Sequence, residues 1–372
     1  MANRRPHREG TISKRADGRW EAKLRDGPRR ISLYGRTQRE VLDKLSDAKQ
    51  RIRQGLDPKP QHQTVGQFLD IWLEEIVKPA RRPKTITCYC QIVDIHIRPA
   101  IGHLPLQLLL PQHVQALLNS KLRSGLSRRT VQAIREVLRN ALNNAIKWDL
   151  VTRNAAALAQ APQAERRKAV VLDPAQAQAF LEAAKAHRLG SLFSVILALG
   201  LRIGEALGLT WDVIDFDGGS VTVLRQIQRI SGKLELVDLK TEKSRRTIAL
   251  PSFAVTALQE RRIAQLEDRL IAADRWQDTG FVFTSTIGTP LDDSAARRAF
   301  KTILSNAHLP VMRVHDLRHT CASLLIAQGV HPRTIMEILG HSQISLTMNT
   351  YSHVIQSLQT EAAEKLDGII GN

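Results

Sequence analysis

Four short stretches in the C-terminal half of this 372-residue chain carry side chains suited to handling an anion. In Leu201-Arg202-Ile203-Gly204-Glu205 an arginine opens an otherwise apolar helix, where its charge is costly to bury unless paired. Glu205, three residues on, lies on the same face and can orient it. Leu239 to Thr247 reads as a basic turn between strands that presents Lys240 and Lys243. A lysine there can reach a neighbouring groove as a proton donor, and a DNA-contacting turn, with Lys243 as a candidate contact, or a plain solvated one has the same composition. His315-Asp316-Leu317-Arg318-His319 leads into a small apolar helix, and the i, i+3 spacing puts His315 and Arg318 on one face near its N-terminus, a good place for an anion. Leu339-Gly340-His341-Ser342 is followed closely by Thr350-Tyr351-Ser352-His353. Of the three tyrosines, Tyr34 sits at a strand end and Tyr89 within a helical pattern, whereas Tyr351 lies in a polar segment with no apolar stripe to require it. Tyr351 is therefore the candidate nucleophile.

This inventory fits one kind of reaction. No stretch resembles a phosphate-cradling loop or a dinucleotide fingerprint. His315, His319 and His331 lack a cysteine partner at zinc spacing, and no carboxylate cluster of the two-metal kind is evident. The expectation is chemistry without a metal or other cofactor. A phosphodiester transition state spreads charge over its equatorial oxygens, and Arg, Lys and His donors already in place must then meet it.

The elements that hold these residues belong to a basic multidomain protein. Lys and Arg total 54 against 36 for Asp and Glu, a net charge of +18, which favours a polyanionic partner such as nucleic acid. The excess is concentrated at the front: 17 against 8 in residues 1–60, 13 against 7 in 61–165, and 24 against 21 in the remainder. The first two segments thus read as DNA grips, with the third free for other work. The longest apolar run, Leu192 to Leu201, is about half of what a bilayer span needs. The polar N-terminus has no secretory core and three cysteines are too few for a disulfide framework, so a cytoplasmic location is expected, with no membrane partner.

Three domains are expected. Residues 1–57 read as a three-stranded sheet (Gly10 to Arg15, Arg19 to Arg25, Arg29 to Tyr34) with turns at Asp17-Gly18 and Asp26-Gly27, then a helix opened by Thr37-Gln38-Arg39-Glu40. Arg15, Arg19, Lys23 and Arg25 lie along the strands, where a β-ribbon could meet a DNA groove. Residues 62–160 read as all helix: a segment opened at Thr64 and running through Val77, then Thr85 to Ile97, Pro111 to Arg123 and Arg128 to Trp148. Arg81, Arg82, Lys84, Arg128 and Arg129 fall near helix ends, where phosphates can be met, or where they are simply solvated. Ala159 to Ala169, with Pro162, reads as an exposed hinge. Residues 170–372 read as mixed α and β: helices around 173–209, strands at Ser220 to Gln228, Leu234 to Leu239 and Arg246 to Leu250, then mostly helix, closing on a tail with Ile355, Leu358, Ala362 and Leu366 at helical spacing. The fold class is therefore multidomain, mainly α with small β sheets.

Taken in order, Arg202, Lys240, His315-x-x-Arg318, Leu-Gly-His341 and Tyr351, with the words around them, resemble the tyrosine site-specific recombinases, or phage integrase family. The resemblance covers residues 166–372 by motif and the helical segment by layout, and the front segment looks like the arm-binding domain of lambda-type integrases. It implies a catalytic fold shared with type IB topoisomerases and a homotetramer on double-stranded DNA bearing core and arm sites. It leaves room for an accessory DNA-bending protein and an excision factor. It further implies that Tyr351 attacks the scissile phosphate to give a 3′-phosphotyrosyl link, that Arg202, Arg318 and His341 hold the phosphate oxygens, that His315 takes the tyrosine proton or helps hold the phosphate, and that Lys240 protonates the leaving oxygen. Spacing leaves Lys243 open as the alternative to Lys240. Two other readings stay open here: a topoisomerase-like nicking and closing enzyme, and a non-catalytic DNA-binding regulator. Arg153-Asn154-Ala155 departs from the Arg-Asn-Pro found in many relatives, a change confined to the hinge side of the helical segment.

Overall fold

The computed structural model describes residues 10–26, 28–53, 63–164, 169–239 and 244–340. The chain packs as two units, residues 1–165 and 166–372. Among the described residues no helix is long and apolar enough to cross a membrane.

The first unit opens with an antiparallel meander of β1 (Thr11–Lys14), β2 (Trp20–Asp26) and β3 (Arg29–Gly35), with β2 central, followed by α1 (Gln38–Arg53). Alternation decides the faces: Ala22 and Leu24 on β2 and Ile31 on β3 are buried with Val41, Leu45 and Ala48 of α1, while Lys23 and Arg25 point outward. The Thr37 hydroxyl caps α1 by accepting from the Glu40 amide (3.2 Å), and the Glu40 carboxylate reaches back to the amide of Arg36 (2.8 Å).

The helical part comprises α2 (Val65–Trp72), α3 (Pro83–Ile92), α4 (Pro111–Arg123), α5 (Arg128–Lys147) and α6 (Ala155–Leu158). Thr64 and Gln67 form the expected reciprocal cap at the start of α2. Two helices run further than their periodicity suggests. After α2 the chain passes through a π-helical turn, Leu73–Val77, into Lys78–Ala80; after α3 it does the same through Val93–Ile97 into Arg98–Ile101. Each π turn lies just ahead of a proline, Pro79 or Pro99, which has no amide hydrogen to give. The wider ring closed by the amides of Lys78 and Arg98 onto the carbonyls of Leu73 and Val93 lets the helix continue past it.

The stretch beginning at Ala159 is not wholly an exposed hinge. Ala159 is buried, and residues 160–163 are strapped to the helices. The Gln115 side chain exchanges two bonds with the Gln160 backbone (2.8 and 3.0 Å), the Gln132 amide donates to the Pro162 carbonyl (2.9 Å), and Arg128 donates to the Gln163 carbonyl (3.4 Å). Arg135 holds the turn before it by donating to the carbonyls of Ala156, Ala157 and Ala159. Glutamine side chains reproduce what a sheet edge would supply to backbone, so a polar, alanine-rich sequence becomes ordered without an apolar stripe.

In the second unit, α7 (Pro174–Lys185) and α8 (Gly190–Leu199) come first. Helix α8 buries Leu192, Phe193, Val195, Ile196, Leu197 and Leu199 and leaves only Ser191, Ser194 and Ala198 partly exposed along one stripe, so it runs through the core. Each such side chain contributes about 1.5–3 kcal/mol relative to exposure. Short α9 (Ile203–Leu207) follows. Strands β4 (Ile214–Asp215), β5 (Ser220–Val223) and β8 (Arg246–Ala249) form an antiparallel sheet with β5 central, and β6 (Arg225–Ile230) pairs with β7 (Lys233–Asp238) as a separate hairpin. Ser220 to Gln228 is therefore two strands in two sheets, broken at Leu224, and not the single strand its alternation implies. Alternation is a local property, whereas the choice of neighbour is tertiary. Four helices complete the described part: α10 (Ser252–Ala272), α11 (Asp293–Asn306), α12 (Val314–Ala327) and α13 (Pro332–Leu339).

Candidate active site

Three elements converge at the end of α8. Gly200 closes that helix in the left-handed region (φ 58°), and a Cβ there would come within 2.5 Å of Leu339 Cδ2. The glycine thus allows both the turn and the close approach of α13. The chain then reverses so that Arg202 becomes the N-cap of α9 in extended conformation. Glu205 grips it twice: Oε2 accepts from the Arg202 amide (3.1 Å) and Oε1 from Nη1 (2.5 Å). Oε2 also accepts from Arg246 Nη2 (2.9 Å). The Glu205 side chain is 1% exposed, Arg246 7% and Arg202 38%, so only Arg202 of the three opens to solvent.

Helix α12 brings the second cluster. Buried Asp316 accepts from the Arg313 amide (2.8 Å) and from its Nη2 (2.6 Å), fixing the first turn. Leu317 enters the core, and Arg318 on the adjoining face is fully buried. Arg318 donates from Nη1 to the Gly200 carbonyl (2.6 Å) and from Nη2 to the Leu339 carbonyl (2.5 Å). Thr320 ties the helix to the segment just ahead of α7, its hydroxyl accepting from the Leu172 amide (3.2 Å).

The meeting point is the C-terminus of α13. The carbonyls of Ile338, Leu339 and Gly340 accept in turn from Arg246 Nε (2.6 Å), Arg318 Nη2 (2.5 Å) and Arg202 Nη2 (3.4 Å). Three cations thus face the negative end of a helix whose last carbonyls would otherwise lack partners. Among the described residues, three guanidinium groups meet here against the single carboxylate of Glu205, a surplus of positive charge and the condition for holding an anion.

The titrating groups respond to this field. Burial alone would push the Glu205 carboxyl up, but Arg246 and Arg202 outweigh it and hold it below its ordinary value. Asp316 is likewise lowered, with Arg313 overriding its burial. The His315 ring packs edge-on to His319 with centroids 5.0 Å apart. Desolvation first, then the charges of His319, Arg318, Arg313 and Arg202, push its pKa down to about 4; the residue is nonetheless exposed to solvent, so the neighbouring positive charges are the firmer cause of the lowering. His315 is therefore a neutral imidazole at pH 7, able to accept a proton. Burial pushes the nearby Cys321 thiol up to about 12, which makes it an inert core residue.

The fold places Arg202 and Arg318 on adjacent carbonyls at the end of α13, and His315 lies within reach of both charges. Lys240, Lys243, His341, Tyr351 and the tail lie outside the described residues. Of the DNA-contact candidates, Arg15 and Arg19 are tied to Asp17, and Arg15 also stacks over Tyr34 (5.3 Å). Lys23 pairs with Glu21 (3.4 Å), and Arg25 is exposed. Arg81, Arg82 and Lys84 are exposed around the start of α3, and Arg128 and Arg129 open α5. Sequence reasoning missed Arg246. Its signal was parity: on β8 it shares a face with buried Ile248, so its charge must find an internal partner.

The family of the chain follows from its likeness to known proteins. The profile of the phage integrase family matches residues 170–357, and that of the phage integrase N-terminal SAM-like domain matches residues 64–122. A tyrosine recombinase XerC-like protein of Caldanaerobacter subterraneus subsp. tengcongensis is 31% identical over 91% of this chain and 92% of its own length. An integrase of Streptomyces ambofaciens is 32% identical over 90% of this chain and 88% of its own. Among solved structures, the Tn1549 transposon integrase in complex with a circular intermediate DNA superposes with a TM-score of 0.69 at 22% identity, covering 81% of this chain and 99% of that one. A lambda integrase dimer bound to a core site gives 0.58 at 19% identity over 94% and 96%. The chain accordingly belongs to the phage integrase family and is a site-specific recombinase, an enzyme that cleaves and rejoins DNA.

Proposed function

We propose that the site formed by Arg202, Arg318 and His315 is the strand-cleavage centre, completed by Lys240, His341 and Tyr351. The observation that carries this is the gathering of Arg202 and Arg318 on the final carbonyls of α13, immediately before His341. In the reaction, the Tyr351 phenolic oxygen forms a bond to phosphorus and the bond from phosphorus to the 5′-oxygen breaks. The phenolic proton passes to neutral His315, and Lys240 gives a proton to the departing oxygen. Arg202 and Arg318 meet the charge on the non-bridging oxygens, where planar forks suit the geometry better than ammonium groups. Bond energy is kept in the 3′-phosphotyrosyl link, so rejoining needs no nucleotide.

Residues 1–57 act as the arm-site reader, residues 62–160 grip the core site and residues 170–372 carry the chemistry, with the tail completing a homotetramer on the DNA. The lambda integrase tetramer bound to a Holliday junction offers a precedent for that assembly. The substrate is double-stranded DNA at the ends of a mobile element. The decisive experiment uses a nicked suicide substrate: wild-type protein forms an SDS-resistant adduct mapping to the Tyr351 peptide, and Tyr351→Phe binds DNA but forms none. An adduct that persists in Tyr351→Phe would show the nucleophile to be another residue.

A further inference from the structure

Arg246 does work that its burial at first conceals. Its guanidinium reaches three segments: Nε donates to the Ile338 carbonyl (2.6 Å), Nη1 to the Ser244 carbonyl (3.0 Å) and Nη2 to Glu205 Oε2 (2.9 Å). At 7% exposure it is poorly placed to meet a DNA phosphate itself. Gly340, in the left-handed region (φ 63°), lies so close that a Cβ there would stand 3.0 Å from Arg246 Nη1. The packing around this arginine is therefore tight on every side that the contacts define.

We infer that Arg246 is a positioning residue: it neutralises buried Glu205 so that the charge of Arg202 stays available to the scissile phosphate. The inference rests on the cleavage-centre reading above. Its logic is charge balance. Glu205 is 1% exposed and carries one negative charge shared between two guanidinium groups, one buried and one 38% exposed. With Arg246 present, one cation satisfies the carboxylate and the equivalent of one remains for substrate. Without it, Arg202 is the only described guanidinium bonded to the buried Glu205 carboxylate, and a low-dielectric pair of that kind holds its partner firmly. Arg202 would then close on both Glu205 oxygens, and a phosphate would have to compete for it.

The test is a set of full-length variants, Arg246→Met, Arg246→Lys and Arg246→Met combined with Glu205→Gln, each read in two ways. The first readout is the rate of adduct formation on the nicked suicide substrate at saturating DNA. The second is inorganic phosphate binding, followed by phosphorus NMR, which requires no cleavage. Arg246→Met lowers the adduct rate about 10²-fold, the effect of losing one transition-state donor, with DNA affinity unchanged, and weakens phosphate binding. Arg246→Lys recovers part of both. The distinguishing variant is the double one. Removing the carboxylate releases Arg202, so the double variant cleaves and binds phosphate at least tenfold better than Arg246→Met alone. A purely architectural arginine gives the opposite order, because a second buried substitution adds damage, and a double variant no better than Arg246→Met overturns the proposal. If the wild type binds phosphate but forms no adduct, the cleavage-centre reading fails, and the phosphate series alone then decides the role of Arg246.

Discussion

Replacing Glu205 by Gln probes the heart of the site with one atom exchanged. The carboxylate makes bonds to Arg202 Nη1, the Arg202 amide and Arg246 Nη2 and is 1% exposed. Glutamine keeps the volume and one acceptor oxygen, but its amide group donates where a carboxylate accepted, and two guanidinium groups then lose their common counter-charge. Breaking a buried ion pair on one side costs about 3–5 kcal/mol, which corresponds to about two to four decades in a local opening equilibrium. Because the protein has two units, global unfolding does not report this, and amide hydrogen exchange on the intact chain does. Peptides spanning Gly190 to Leu209 and the end of α13 should lose that much protection, while those from α4 and α5 keep theirs. The same carboxylate carries a pH signature. Its folded-state pKa lies below the ordinary 4.5, so its contribution to stability is complete above that value and is lost as pH falls below it through the folded-state value. Wild-type protection in the region should therefore decline below about pH 4.5, and the Gln variant should show no such step. A variant with protection within threefold of wild type would mean that the buried charges do not organise this corner of the fold.

Other outcomes follow from the same geometry. Arg318→Lys keeps a cation but cannot bond the Gly200 and Leu339 carbonyls together; adduct formation should fall about 10²–10³-fold with core-site affinity retained in a gel-shift assay, and a fall below tenfold would remove Arg318 from the phosphate clamp. His315, with its pKa pushed down to about 4, gains a proton only in acid; an incoming phosphate raises that value, so the acid limb of the cleavage pH profile should lie above pH 4 and disappear in His315→Gln. Arg135→Ala should free the Ala156 to Gln163 strap, seen as faster thermolysin cleavage there by about tenfold, in keeping with the loss of one charged donor.

The reach of sequence reading differs between features for physical reasons. Turns, caps and stripes depend on neighbours within about four residues, so β1 to β3, the Thr64 cap and the amphipathic helices were legible from spacing alone. The grouping of Arg202 with His315 and Arg318 came instead from the order of the motifs, which resembles that of the phage integrase family, because spacing does not join residues more than a hundred positions apart. The strap after Ala159 was illegible, since its order comes from glutamine and arginine side chains donated by α4 and α5. The split of Ser220 to Gln228 was equally hidden, because partner strands and not alternation decided it.

Residue type and local period picked out side chains suited to an anion and a basic surface suited to nucleic acid, and the order of the motifs carried the resemblance to the phage integrase family. That Glu205 serves two arginines, that Arg246 is one of them, and that three consecutive carbonyls at the end of α13 collect three cations from three separate elements came from packing alone. Apart from the local Arg202–Glu205 pair, those choices join positions from 21 to 138 residues apart. At such separations no local pattern specifies the partner, and burial of charge does so by penalising every arrangement that leaves it unpaired.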